Sequence, residues 1–149
     1  MRLQGEYGPS PVGWVREQAE AYESSSGQQA ATLRDTGIPV IVVSMRGRSS
    51  GKIRKVPLMK VEHNGEYALV GSRGGAPTDP LWVANLDANP QEVTVQDGPE
   101  PFAVTVRRAE GAERAEWWER SVAAFPNYAE YQAKTDRIIP LFIASPTAD

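Results

Sequence analysis

Arg46-Gly47-Arg48-Ser49-Ser50-Gly51-Lys52-Ile53-Arg54-Lys55-Val56-Pro57 packs five cations, two glycines and two serines into one short stretch. The whole chain carries 16 Lys and Arg against 19 Asp and Glu, a formal net charge of −3. The stretch is therefore a local basic site on an acidic protein. Backbone N–H groups of a glycine-containing turn form anion-binding nests, and arginine adds charge-assisted bidentate bonds to phosphate oxygens. Arg48, Ser49, Ser50, Gly51 and Arg54 supply those parts. The order is not that of a P-loop, because no Gly-Lys-Ser/Thr opens a helix. Nucleotide triphosphate hydrolysis is not implied. The same composition also suits a solvated basic hairpin, since charged residues mostly face water.

A second loop, Ser72-Arg73-Gly74-Gly75, repeats the theme of serine, arginine and two glycines at the end of an apolar run. Gly74 and Gly75 let a flat ring approach the backbone closely. Trp82 follows shortly after and reads either as a wall for such a ring or as a core anchor. Tyr128 and Tyr131, three apart, share one face of a short helix and serve either packing or proton donation.

Absences narrow the chemistry. With no cysteine there is no thiol nucleophile, no disulfide and no Cys-based zinc or iron–sulfur site. The single histidine, His63, lies next to Asn64-Gly65, a hairpin-turn signature, which favours a solvated side chain over a catalytic one. A Ser-His-Asp hydrolase is disfavoured, and an organic cofactor is the better carrier of any hard chemistry. The acidity argues against nucleic-acid binding, which wants a basic face. The N-terminus lacks the basic-then-apolar layout of a secretory signal, and no run is long enough to span a membrane, so the expected home is cytoplasmic.

The elements that must position these residues are legible in outline. One domain is expected over 1–149, with an N-terminal helix and mobile linker over 1–36 and a frayed tail over 145–149. Helices are expected over 11–22, 79–88 and 111–124, with a short one carrying Tyr128 and Tyr131 capped by Asn127. The first has Ser10 as its cap and Val12, Val15, Ala19 and Tyr22 on its apolar face. Strands are expected over 38–45, 55–63, 66–71, 92–96, 102–108 and 138–144. Six strands joined largely by tight turns favour a small antiparallel barrel with helices outside, and they are too close in sequence for parallel crossovers.

The ordered motifs resemble a known family. Gly47-Arg48-x-Ser50-Gly51-x-x-Arg54-x-x-Pro57-Leu58, Ser72-Arg73-Gly74-Gly75, Pro80-Leu81-Trp82-x-x-Asn85-Leu86-x-Ala88-Asn89-Pro90 and Phe125-Pro126-x-Tyr128-x-x-Tyr131-Gln132-x-x-Thr135-Asp136-Arg137-x-Ile139-Pro140 are similar to those of actinobacterial deazaflavin-dependent nitroreductases. The resemblance covers about 38–143. It implies a mainly β, α+β split β-barrel and coenzyme F420, an 8-hydroxy-5-deazaflavin with a phosphate and an acidic tail. By position it assigns Arg48, Ser49 and Arg54 to the phosphate and tail, beside Ser50 and Gly51. Val56, Pro57, Leu58 and Met59 would line the ring edge. Ser72, Arg73, Gly74, Gly75, Trp82 and Asn85 would sit beside the deazaflavin, and Phe125, Tyr128 and Tyr131 would shape the substrate pocket.

The implied activity is hydride transfer to an electron-poor acceptor such as a quinone, enone or nitro compound, with Tyr128, Tyr131, Ser72 or a water giving the proton. Departures from the family pattern are Ser49 and Arg73, where relatives carry lysine, and Phe125, where they carry tyrosine. The polar N-terminus, with Glu17, Gln18, Glu20 and Glu23, limits membrane contact to a peripheral one. The chain is expected as a monomer or homodimer. Alternatives are an FMN-dependent reductase or oxidase on the same barrel, a non-catalytic deazaflavin carrier, or an interaction domain for an acidic partner.

Overall fold

The computed structural model describes residues 3–33 and 37–147. The β-branched run that reads as a buried strand forms β1, Val40–Arg46. Its side chains alternate between two apolar layers. Ile41, Val43 and Met45 join one cluster, while Val40 and Val42 join another with Ala19 and Tyr22. Both faces are covered, so the strand is apolar from Val40 to Val43 and again at Met45, with Ser44 as a buried polar residue between them.

The remaining strands are β2 (Ile53–Met59), β3 (Glu62–His63), β4 (Glu66–Val70), β5 (Val93–Gln96), β6 (Pro101–Arg108) and β7 (Leu141–Pro146). All pair antiparallel, in the order β2-β1-β5-β6-β7-β4-β3. The expected strand over 55–63 is broken at Lys60–Val61. Its first part pairs with β1 and its second with β4. One bent strand thus occupies both edges of the sheet and curls it into a split barrel. Pro57 sits in β2, which pairs with β1 alone, so its missing N–H costs no second ladder.

Helices α1 (Gly13–Ser24), α2 (Leu81–Ala88), α3 (Gly111–Ala124) and α4 (Asn127–Ala133) pack around the strands. Inside the barrel lie Ile41, Val43, Met45, Leu69, Val93, Val95, Val104 and Phe142, with Trp82, Val83 and Leu86 of α2 against them. Met59, Val61, Ala68, Val70, Leu141 and Ile143 form the outer layer with Trp117, Phe125 and Tyr128 of the α3–α4 region.

Several boundaries differ from the sequence reading. Helix α1 begins at Gly13, and the Ser10 hydroxyl accepts the Val12 N–H at 3.1 Å just before it. Ala19 and Tyr22 are buried as expected, but Val12 stays exposed because it precedes the first turn. After α1 the chain turns back at Gly27 (φ +80°), so close to Gly98 that a Cβ would stand 2.6 Å from its carbonyl oxygen. The Gly98 N–H donates to the Tyr22 hydroxyl at 2.7 Å. Asp79 does not open α2, because its carboxylate pairs with Arg137 at 2.8 Å. Pro126, not Asn127, is the residue before α4. Strand β7 starts at Leu141 instead of Ile138 and continues through Ser145 and Pro146, which the sequence reading placed in a frayed tail. Thr147 N–H still donates to Ala103 O at 3.0 Å. Residues 34–36 of the expected linker and 148–149 of the tail lie outside the described residues.

The first residues form an arm along β2. Ile53 N–H donates to Glu6 O at 2.7 Å and Gly8 N–H to Ile53 O at 2.9 Å. Among the described residues no helix is long and apolar enough to cross a membrane.

Candidate active site

The basic loop is a hairpin connection between β1 and β2. Gly47 N–H donates to Lys52 O at 2.7 Å and Gly51 N–H to Gly47 O at 3.0 Å. Gly51 takes φ +71°, which glycine adopts without strain. The Ser50 hydroxyl accepts the Lys52 N–H at 3.1 Å, so this serine staples the turn. Three of the five cations are matched by acids: Arg46 with Glu92 (2.9 Å), Lys55 with Glu23 (2.7 Å) and Lys52 with Glu6 (3.6 Å). Arg46 also donates to Gly51 O and Gln4 O.

Arg48 and Arg54 have no acidic partner among the described residues. The Arg54 guanidinium donates to two neutral carbonyls of the arm, Gly8 O at 2.9 Å and Pro9 O at 3.3 Å. The Arg48 side chain is exposed, as are Ser49 and Ser50. The loop's uncompensated charge therefore resides on the two arginines that the sequence reading selected.

Asn85 explains how this loop is aimed. Its side-chain oxygen accepts the Arg48 backbone N–H at 2.9 Å, tying the loop to α2. The N-terminal part of α2 meets the second loop, where a Cβ on Gly71 would stand 2.9 Å from Val83 Cγ2. The two contacts, at Val83 and Asn85, lie two residues and about 3 Å apart along α2 at 1.5 Å per residue, so one short stretch of helix touches both loops. No direct contact joins Arg48 or Ser49 to Ser72 or Arg73.

The second loop has an unusual backbone. Ser72 is right-handed (φ −71°, ψ −41°), and Arg73, Gly74 and Gly75 follow with φ of +46°, +62° and +83°. Arg73 is not a glycine, so its left-handed φ stores strain of about 1–2 kcal/mol. The Arg73 guanidinium donates to the Thr78 hydroxyl at 2.5 Å. Gly75 is buried against α4, and a Cβ there would stand 2.7 Å from Tyr131 O. Gly75 is thus brought against the tyrosine helix.

Phe125, Tyr128 and Tyr131 form an edge-to-face cluster, with ring centroids 5.0 Å apart for Phe125–Tyr128, 5.9 Å for Phe125–Tyr131 and 6.4 Å for Tyr128–Tyr131. Trp118 packs on Tyr128 at 6.4 Å. Tyr128 is 5% exposed, and burial holds its phenol above the usual range, the neighbouring Tyr131 adding a little. It is a neutral hydrogen-bonding group at all physiological pH values and a weaker acid than a free phenol. Tyr131 is half-buried, with the Lys134 ammonium 5.7 Å from its ring centre.

The expected ring-edge strand is divided. Val56 and Leu58 pack toward the barrel interior, whereas Met59 belongs to the outer layer under α3 and α4. Strand periodicity puts Pro57 on Met59's side. Of the four, Val56 and Leu58 share one face of the strand and Pro57 and Met59 the other. Trp82, 9% exposed and 6.3 Å from the Phe142 ring, is the core anchor of α2. His63 is exposed and edge-on to Trp117 at 6.1 Å.

The structure adds one residue that the sequence reading quoted but did not assign. Arg137 lies 61 to 66 residues from the carbonyls it holds: Ala76 O at 2.7 Å, Gly71 O at 3.1 Å and Ser72 O at 2.6 Å. Its presence next to the tyrosine segment was the available signal. The loop it holds is not adjacent in sequence.

A split barrel with an arginine-bearing hairpin and a glycine turn facing an aromatic helix defines a class, the flavin- and deazaflavin-type split-barrel oxidoreductases. Within that class, residues 14–146 match the model of the F420H(2)-dependent quinone reductase family, and the chain belongs to that family. It is 32% identical over 109 residues to Rv3178 of Mycobacterium tuberculosis, named for the same activity, covering 73% of this chain and 91% of that one. It is 31% identical over 108 residues to the F420H(2)-dependent quinone reductase Rv1261c of the same organism, covering 70% and 72%. Among solved structures, an F420-H2 dependent reductase, FDR-A, is 52% identical with a TM-score of 0.68, over 72% of this chain and 94% of that one. A chain solved as a domain-swapped dimer is 47% identical with a TM-score of 0.70, over 91% and 100%. The family is one of oxidoreductases, and its cofactor is coenzyme F420.

Proposed function

We propose that this chain binds reduced F420 along the face from the basic hairpin to the Ser72–Gly75 turn and reduces a quinone-type acceptor held against α4. One observation carries the reading. Arg48 and Arg54 are the cations of the hairpin left without acidic partners, on a loop that Asn85 ties to the helix between the two halves of the site. That donor set fits a phosphate with an acidic tail.

When bound, the deazaflavin supplies a hydride, a two-electron reductant. The residues of this chain do the rest. Arg48, Arg54 and Ser49 hold the anionic end. Ser72, Gly74 and Gly75 give the flat ring a close backbone approach, while Val56 and Leu58 present an apolar edge. Phe125, Tyr128 and Tyr131 shield the acceptor from water, which strengthens every polar interaction there. Tyr131, less buried than Tyr128, or the Ser72 hydroxyl, donates the proton that the reduced acceptor takes up. Phe125 has no hydroxyl, so this pocket has one donor fewer than relatives with tyrosine there. The swapped-dimer relative supports a homodimer for this chain, which sedimentation measures directly.

The test is titration with F420 and with FMN, followed by fluorescence quenching. Arg48→Ala and Arg54→Ala should each weaken F420 binding about tenfold or more, since hydrogen bonds to charged groups contribute about 1.5–3 kcal/mol. Tight FMN binding without F420 binding would overturn the cofactor. Saturable F420 binding with no turnover on a quinone, enone and nitroaromatic panel would make the chain a carrier.

A further inference from the structure

Arg137 is 14% exposed at its side chain and donates four hydrogen bonds into one loop. Nε reaches Ala76 O, Nη1 reaches Gly71 O and Asp79 Oδ1, and Nη2 reaches Ser72 O. Two of those carbonyls belong to the consecutive peptides Gly71–Ser72 and Ser72–Arg73. No peptide bond in the described chain is cis. In a trans peptide the N–H points opposite to the C=O. The N–H groups of Ser72 and Arg73 therefore point away from the guanidinium. Neither they nor the Gly74 N–H meets a hydrogen-bond acceptor among the described residues.

Right-handed Ser72 followed by left-handed Arg73 is the backbone combination that converges successive N–H groups on one point. The Ser72 hydroxyl has no hydrogen-bond partner among the described residues either, and it is open to solvent in a residue that is otherwise largely buried. A cation gripping a peptide oxygen polarises that peptide and strengthens its N–H as a donor, as in any cooperative hydrogen-bond chain.

We propose that Arg137 is a positioning residue that shapes and electrically backs a donor pocket, made of the Ser72, Arg73 and Gly74 N–H groups and the Ser72 hydroxyl, for an electron-rich oxygen of the cofactor's ring system. The inference rests on the F420 reading above and says which part of the chain meets the ring's most negative edge. Arg137 is also wired to the tyrosine helix. The Gln132 side chain of α4 donates to Arg137 O at 2.8 Å and accepts the Ile139 N–H at 3.0 Å. The pocket is thus held in register with Tyr128 and Tyr131.

Asp79 gives the discriminating test, because its carboxylate partly cancels the Arg137 charge while holding the same loop. F420 affinity is measured by fluorescence quenching, and unfolding by thermal melting, for Arg137→Gln, Arg137→Lys and Asp79→Asn. Removing the cation in Arg137→Gln should weaken F420 about tenfold to a hundredfold. Arg137→Lys, which keeps the charge and folds more safely, should lose less. Asp79→Asn keeps a hydrogen-bond acceptor but uncovers the cation, and should tighten F420 about twofold to fivefold. A loop staple would instead weaken binding in both Arg137→Gln and Asp79→Asn, in step with their melting temperatures. That parallel loss, or unchanged affinity in Arg137→Gln, overturns the inference and leaves the cofactor reading standing. Failure of the unaltered protein to bind F420 overturns both.

Discussion

Gly75 and Gly74 are neighbours with similar backbone conformations and different surroundings, and this makes them a matched pair. Both have positive φ, so alanine at either position incurs the left-handed penalty of about 1–2 kcal/mol. At Gly74 the new methyl group meets nothing within 4 Å. At Gly75 it would stand 2.7 Å from Tyr131 O, 3.1 Å from Tyr131 Cα and 3.2 Å from Lys134 Cβ. Two of these are backbone atoms of α4, which cannot rotate away. Overpacking of this kind adds about 1–3 kcal/mol. Gly74→Ala should therefore lose about 1–2 kcal/mol and Gly75→Ala about 2–5 kcal/mol in urea denaturation. Only Gly75→Ala should drive the turn away from α4. Equal losses in the two variants would refute the argument that this turn is seated on the tyrosine helix.

Three further outcomes are expected. Tyr128→Phe with Tyr131→Phe should lower turnover while leaving F420 affinity near that of the parent, and unchanged turnover would reduce both tyrosines to packing. Trp82→Ala should destabilise the fold by about 3–5 kcal/mol, the usual cost of emptying a buried tryptophan site, as urea denaturation would measure. Tyr67 and Tyr128 have phenols raised above pH 10, Tyr67 through burial and its 2.7 Å bond to Asp97 and Tyr128 through burial. A raised folded value leaves their stabilisation intact below pH 10 and removes it as pH rises further, by about 1.4 kcal/mol per pH unit for each group. Tyr67→Phe should make the alkaline unfolding slope shallower by one such increment.

The parts of the fold governed by neighbours in sequence were readable, and the parts governed by distant partners were not. The β1 run and the Asn64-Gly65 turn declare themselves locally, because both depend on burial periodicity and backbone preference. The break at Lys60–Val61 leaves no such mark, since it arises from barrel closure between strands that pair on opposite edges. The hairpin's five cations look alike in sequence. What separates Arg48 and Arg54 from the others is the placement of Glu92 and Glu23, 46 and 32 residues away from Arg46 and Lys55. Trp82 could be read two ways because a helix-borne tryptophan near a glycine loop suits either a core or a ring wall, and the Phe142 contact shows only its packing in the core. Arg137 was visible only as one member of a motif, because its partners lie in a loop that the tertiary fold delivers.

The N-terminal arm has a practical consequence. The region shared with the family begins at residue 14, yet the oxygens of Gln4, Gly8 and Pro9 are bonded to the guanidinium groups of Arg46 and Arg54. A recombinant version trimmed to the shared region would keep every strand and every named site residue. It would nonetheless take Gly8 and Pro9 away from Arg54, one of the bonds away from Arg46, and Glu6 away from Lys52. Cofactor affinities measured on trimmed chains and on chains that keep the arm therefore describe different anion sites, and comparisons across relatives are meaningful only between chains that begin alike.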